Sequence, residues 1–160
     1  TLLNNKYTNV VKRCAMAKLF SIKEKYSNRI YSKEKLVEFR RQNVNVSKDE
    51  FCLIYTSSPV KKITGYFIVQ EKIRTSIRKL WELTKEVAGI SYKEFKEYFK
   101  GCQLGTAIVF KKIQKFHRAL GLDDLRKKGN FIPPQSYCNL NGLLIELFNT
   151  IIPQKQLNQF

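Results

Sequence analysis

Four charged side chains in the first quarter of the sequence could together bind a polar or anionic ligand. Glu38 and Arg40 lie two residues apart in a segment that alternates between apolar and charged residues. Side chains at i and i+2 of a β-strand share a face, so this carboxylate and guanidinium would lie side by side. Lys23 and Lys35 would add positive charge nearby. The pattern alone, however, favours a solvated edge strand whose charges prevent aggregation.

A second group of candidate residues ends the apolar segment 51–55. Tyr55, Thr56 and Ser57 would offer an aromatic ring and two hydroxyls where a buried strand emerges. An unstacked nucleic-acid base stacks on such a ring while its edge forms hydrogen bonds, and Glu38 could accept one from an exocyclic amine. These residue types favour binding of a nucleotide over catalysis.

The charge balance points to a polyanionic partner. The 160 residues include 30 Lys and Arg against 13 Asp and Glu, which gives a formal net charge of +17. These basic residues are spread along the chain and not gathered in a tail. Basic charge over a folded body favours nucleic acid over a membrane, although a generally basic, lysine-rich proteome would produce the same composition.

Several classes of protein lack support in the sequence. No apolar run approaches the ~20 residues that span a bilayer, and no signal-peptide core is present. The four cysteines are widely spaced and there is one histidine, so neither a zinc site nor a disulfide framework is predicted. No phosphate-binding glycine loop or nucleophile elbow occurs, so we predict no catalytic residue, metal or cofactor by motif. We expect a cytoplasmic protein with reduced thiols. The sequence does not indicate the oligomeric state.

The elements that would position these residues form an α+β domain. Apolar and alternating segments predict strands at 16–22, 36–41, 51–55, 62–73 and 104–116. Helical spacing predicts helices at 25–32, from 75 or 76 to 89, at 91–101, 122–125 and 140–152. Ser91 and Glu94 form a capping box, and Gly65 predicts a bulge or a close approach of a neighbouring backbone. About five strands with helices grouped mid-chain and at the end indicate a small barrel.

Five segments in order resemble the ASCH domain, a member of the PUA-like superfamily of small β-barrels. They cover about residues 16–137 and read FSIKEKYSNRIYSKEKLVEFRR, IYTSSPVKKITGYFIV, ISYKEFKEYFKG, GTAIVFKKI and PPQSY. The family's G-x-K-x-x-E-x-R-like segment corresponds to residues 32–40, with Ser32 at the place of the usual glycine. The resemblance implies a PUA-like mixed β-barrel of five to six strands, with two helices inserted mid-chain and a C-terminal helix.

The resemblance also implies a ligand cleft lined by Lys35, Glu38 and Arg40, which reverses the preference for a solvated edge. We expect RNA or a modified nucleotide to bind there, in a setting of transcriptional or RNA-linked regulation. In this hypothesis Glu38 reads a base edge and Tyr55 stacks on the base. The residues expected to hold phosphate are Lys23, Lys35, Arg40 and Arg41. Those expected to form a polar lip are Thr56, Ser57, Gln135 and Ser136.

The alternative is an enzyme, either a ribonuclease or an amidohydrolase, that works from the same cleft. One ASCH branch resembles an amidohydrolase for acetylated cytidine that uses a lysine and a threonine nucleophile. Lys35 matches that lysine, but Glu38 stands where the threonine would be. That chemistry is therefore not expected, and the sequence favours a binding module over an enzyme.

This interpretation divides the chain into three parts. Residues 1–15 are expected to be a linker or the end of a preceding domain, because ASCH domains occur fused to others. Residues 16–137 would form the ASCH domain, and residues 138–160 would form a C-terminal helix packed on it.

Overall fold

The computed structural model describes residues 17–127 and 129–139. Within them the elements in chain order are β1 (Lys18–Ile22), α1 (Glu24–Tyr31), β2 (Val37–Arg40), β3 (Phe51–Thr56), β4 (Lys62–Ser76), α2 (Ile77–Thr84), α3 (Tyr92–Tyr98), β5 (Leu104–Gly121), α4 (Leu122–Lys127) and β6 (Tyr137–Asn139). The six strands form one sheet in the order β2-β5-β4-β3-β1-β6. The predicted α+β class and the two helices inserted mid-chain are confirmed.

The sheet is mixed and curls into a half-barrel. β1 runs parallel to β3, whereas the other described pairs are antiparallel. Parallel pairing places the ends of β1 and β3 at the same end of the barrel, where β4 begins and the chain enters β6. The residues that follow β1 and β3, and those that precede β6, therefore lie at one end of the sheet.

β1 and β3 are buried on both faces, as the continuous apolar run 51–55 predicts. Leu19 and Leu53 belong to one core cluster, whereas Phe20 and Ile54 belong to a second cluster on the other face. A third cluster joins β2 to helices α2 and α3, with Phe95 fully buried in it. Burial on both faces holds these central strands rigid, and the residues at their ends are positioned accordingly.

Two local predictions for the helices and glycines are confirmed. The Ser91 backbone N–H donates to the Glu94 carboxylate at 3.0 Å, and the Glu94 N–H donates to Ser91 Oγ at 3.1 Å, which completes the capping box of α3. Gly65 lies where the β4–β5 register shifts, and a Cβ there would lie 2.2 Å from the Gln114 carbonyl oxygen. The close backbone approach explains the glycine.

Other boundaries differ from the predictions. Helix α2 ends at Thr84 and does not continue to Gly89, because the Val87 N–H donates to the Thr84 carbonyl oxygen at 2.9 Å, three residues back and not the four of an α-helix. The Val87 carbonyl in turn accepts a hydrogen bond from the Leu36 N–H at 2.9 Å. β4 and β5 extend to Ser76 and Gly121, since their long mutual pairing continues past the apolar residues.

The turn after α1 also differs from the motif-based expectation. Ser32 has φ −76°, whereas Lys33 adopts the left-handed conformation with φ 64°. A glycine would therefore be favoured at position 33 and not at position 32.

The last described strand crosses the predicted division at residue 137, and the domain limits themselves stay a prediction. Cys138 and Asn139 belong to β6, which pairs with β1, so the sheet continues beyond residue 137. The predicted linker at 1–15 and the helix at 140–152 lie outside the described residues. No helix of the described ranges is long and apolar enough to cross a membrane.

Candidate functional site

A cavity of about 370 Å³ lies at the end of the barrel where β1 and β3 finish. This volume falls within the usual range for small-ligand sites. Three residues of the 35–40 segment, Lys35, Glu38 and Arg40, form its charged wall. Glu38 and Arg40 are only 7% and 9% exposed. The solvated-edge interpretation of this strand is therefore wrong, and the structure brings these three residues together.

Lys35 lies deep in this wall, with 2% of its surface exposed. Its Nζ donates to the Ala88 carbonyl oxygen at 3.4 Å and lies 4.6 Å from the centre of the Phe39 ring. Burial lowers the pKa of Lys35 to about 8; the Glu38 carboxylate opposes this shift, and Arg29 and Arg40 add to it. Lys35 therefore changes charge close to neutral pH, which suits either anion binding or proton transfer.

Arg40 is held by protein groups. Its Nη2 lies 2.8 Å from Glu38 Oε1 and donates to the Ser21 carbonyl oxygen at 3.0 Å. Its Nη1 donates to the Ser136 hydroxyl at 3.1 Å and to the Ser136 carbonyl oxygen at 3.3 Å. Among the described residues, nothing accepts a hydrogen bond from the buried Arg40 Nε. The Nη1 and Nη2 groups therefore fix the Arg40 side chain in the cavity wall, and Nε is the remaining donor of the guanidinium.

The polar lip is partly assembled at the mouth. Lys23, Ser57 and Gln135 line the cavity from the residues after β1, after β3 and before β6. Ser136 contributes through its bond to Arg40. Thr56 is buried and does not line the cavity, because its hydroxyl bonds to those of Ser27 at 3.1 Å and Thr64 at 2.8 Å.

Two other predicted residues lie elsewhere. Arg41 is exposed, and its guanidinium donates to Cys102 Sγ at 3.2 Å and to the Lys100 carbonyl oxygen at 2.8 Å. Tyr55 is 3% exposed and packs on the core face of β3 beside Leu53, with the Phe131 ring 6.2 Å away. A base could not stack on Tyr55 without opening this core, so the predicted stacking role does not fit its position.

The cavity instead presents two tyrosines, Tyr26 and Tyr98, that were not among the predicted site residues. Tyr26 of α1 lies in the wall, with Lys35 Nζ 5.7 Å from its ring centre. Tyr98 of α3 also lines the cavity, and its hydroxyl donates to the Phe39 carbonyl oxygen at 3.0 Å. One feature of the sequence could have identified these residues: both helices carry tyrosine at positions where phenylalanine could have packed equally well. In addition, Tyr26 follows Lys23 by about one helical turn, so the two side chains share a face.

The curled mixed sheet with two helices inserted mid-chain has the PUA-like fold of ASCH domains, as the five sequence segments predict. Residues 15–134 match the family model described as Domain of unknown function (DUF365), and the chain belongs to that family.

Individual proteins support the same assignment. The chain is 29% identical over 119 residues to the ASCH domain-containing ribonuclease of Zymomonas mobilis, covering 74% of this chain and 80% of that protein. The crystal structure of ASCH from Zymomonas mobilis matches with a TM-score of 0.80 and 26% identity, covering 88% of this chain and 98% of that one. The N-terminal domain of Staphylothermus marinus McrB shares the fold alone, with a TM-score of 0.56 and 11% identity over 84% of this chain and 92% of that one.

Proposed function

We propose that this protein binds single-stranded RNA and holds one nucleotide, or a modified form of it, in the cavity. The observation that carries the proposal is the convergence of Lys35, Glu38 and Arg40 with two tyrosine rings in a space of nucleotide size. The similarity to a protein named as a ribonuclease supports RNA as the ligand. RNA-linked regulation is the biological setting that we propose for this binding.

Each wall of the cavity has a role in this proposal. The Glu38 carboxylate accepts a hydrogen bond from an exocyclic amine of the base, and the ring of Tyr26 or Tyr98 contacts the base face. Lys35 below its pKa and Lys23 at the mouth attract the phosphate. Sequence-specific recognition of RNA uses unstacked bases in this way, so single-stranded RNA is the appropriate ligand.

Fluorescence anisotropy of a labelled 15-nucleotide single-stranded RNA of mixed sequence tests the proposal. We expect the logarithm of the affinity to fall linearly with the logarithm of salt concentration, by about 0.7 for each phosphate contact. Glu38→Gln keeps an acceptor for Arg40 but removes the charge, so we expect about 10-fold weaker binding with an unchanged salt slope.

Lys79→Gln, which changes an exposed lysine on α2, is the control and should bind as the wild type does. The proposal fails if the wild type shows no salt-dependent binding, or if Glu38→Gln binds as tightly as the control.

Hydrolysis of RNA is the second candidate function. It is favoured by Lys35, whose pKa of about 8 lies near neutral pH, in the same cavity as the Glu38 carboxylate. Two titratable groups in such an arrangement can exchange protons with a reacting ligand. Incubation of labelled RNA, and separately of an acetylated nucleoside, with the wild type and with Lys35→Met separates the candidates. Turnover that is lost in Lys35→Met identifies an enzyme, whereas binding without turnover identifies a binding module.

A further inference from the structure

Strand β5 carries a bulge at the same end of the barrel as the cavity. Ile63 pairs with Leu120, but Gly65 pairs with Lys115, so one residue of β4 faces four residues of β5, 116–119. Within this bulge His117 and Arg118 are exposed. Bulges next to functional sites commonly redirect side chains, and this one turns basic residues outwards.

Further basic residues surround the bulge. Lys115 is exposed at its start, with Nζ 5.6 Å from the centre of the Tyr31 ring. Lys61 and Lys62 are exposed on the neighbouring strand entry, and the Leu122 N–H donates to the Lys61 carbonyl oxygen at 3.0 Å. We call Lys61, Lys62, Lys115 and Arg118 the basic track.

The turn 57–61 joins the basic track to the cavity. Ser57 lines the cavity, and its N–H donates to the Ile22 carbonyl oxygen at 2.9 Å, directly beside Lys23. The Val60 N–H donates back to the Ser57 carbonyl oxygen at 3.2 Å, which keeps the turn short. One end of this turn therefore forms the cavity mouth, and the other end carries the first residue of the track.

The charge of the track is unbalanced. None of its four cations has a carboxylate within ion-pair distance in the described part of the chain. The next acidic residues along the chain, Asp123 and Asp124, are followed in the same helix by Arg126 and Lys127. Clustered cations without carboxylate partners attract a polyanion by releasing its counterions.

We propose that the basic track binds the phosphates of RNA beyond the nucleotide held in the cavity, so that the strand leaves the mouth over the turn 57–61. This inference rests on the proposed function, and it assigns a second, sequence-independent contact to the same ligand. It requires RNA longer than the part inside the cavity, so the contribution of the track depends on RNA length.

The test compares a 15-nucleotide RNA with a 3-nucleotide RNA of the same labelled sequence by anisotropy. The track variant is Lys115→Gln/Arg118→Gln, and the charge-matched control is Arg78→Gln/Lys79→Gln on exposed positions of α2. We expect the track variant to bind the longer RNA about 10-fold more weakly, with a salt slope smaller by about 1.4, because two phosphate contacts are lost. Binding of the 3-nucleotide RNA should change less than about twofold, since phosphate contacts outside the cavity are absent from it.

Each other outcome has a distinct meaning. Equal losses in the track and control variants would attribute the effect to net charge and would overturn the track, while the proposed function stands. Equal losses for both RNA lengths would place these residues at the cavity ligand and would also overturn it. A wild type that binds neither RNA would overturn the proposed function and the track together. Lys61→Gln/Lys62→Gln provides a second variant if Lys115→Gln/Arg118→Gln lowers the thermal midpoint.

Discussion

Lys35 carries its amino group in a position that water scarcely reaches. Its Nζ has one backbone acceptor among the described residues, the Ala88 carbonyl oxygen, and otherwise faces the Phe39 and Tyr26 rings. Burial of a charge without a close ion pair disfavours the protonated form, which is the first cause of the lowered pKa. Such an arrangement destabilises the folded protein, and in the proposed function an anion in the cavity would offset this cost.

The stability of the protein should therefore depend on pH through Lys35. Its pKa is lowered from 10.5 to about 8, so the folded state binds fewer protons than the unfolded state between these values. The destabilisation is fully present below pH 8 and disappears as pH rises towards 10.5. Lys35→Met should be more stable than the wild type at pH 7, by up to about 3 kcal/mol, and the difference should shrink by pH 10. Urea denaturation at both pH values measures this, with Lys79→Met as the exposed control. A difference that stays constant between pH 7 and pH 10 would contradict the prediction.

At the scale of elements, the contact of α1 with strands β3 and β4 determines where the cavity forms. The Tyr31 hydroxyl lies 2.6 Å from Thr64 Oγ1, which in turn lies 2.8 Å from Thr56 Oγ1. This chain of hydroxyls satisfies the buried polar groups between helix and sheet. It holds α1, and with it Tyr26, against the end of β3.

Gly65 permits this helix to approach. A Cβ at position 65 would lie 2.2 Å from the Gln114 carbonyl oxygen and 2.7 Å from the Tyr31 hydroxyl. The Gln114 carbonyl oxygen belongs to the backbone of a paired strand, so it could move only by disrupting the sheet. Gly65→Ala should therefore destabilise the protein by about 3 kcal/mol. Gly121→Ala is the control, since its Cβ would meet the end of the Asp124 side chain at 3.4 Å. Guanidinium denaturation of both variants checks the prediction, and similar small losses in the two would refute it.

At the scale of the whole molecule, Arg40 joins the two edges of the sheet. β2 is one edge strand, whereas β6 is the other edge strand and β1 lies next to it. The Arg40 guanidinium on β2 donates to Ser21 of β1 and to Ser136 just before β6. The curl of the half-barrel brings these edges together, and this single side chain links them across the cavity wall.

Removal of Arg40 should open this junction. Arg40→Met leaves the buried Glu38 carboxylate without its ion-pair partner, so we expect a loss of about 3 to 5 kcal/mol in the free energy of unfolding. Arg40→Met/Glu38→Leu removes both charges and should recover part of that loss, because no uncompensated charge remains. A double-mutant cycle by chemical denaturation measures the coupling. If the double variant is as unstable as the sum of the single variants, the pair acts independently and the explanation is wrong.

Features that depend on neighbouring residues were determined by the sequence itself. The capping box of α3 needs partners three residues apart, and the apolar run at 51–55 specifies a strand buried on both faces. The alternation at 37–40 correctly placed Glu38 and Arg40 on one face, and the ordered motifs correctly indicated the ASCH domain. The ligand-binding roles of these residues remain predictions.

What covers each face was decided by the tertiary structure alone. Alternation cannot distinguish a solvated strand from a cavity wall, because the partners of Arg40 lie 19 and 96 residues away. For the same reason Tyr55, which stands next to hydroxyl residues in the sequence, faces the core, whereas Tyr26 and Tyr98 arrive from two helices to line the cavity. Long-range closure of the sheet thus determined which of the charged and aromatic residues could meet one ligand.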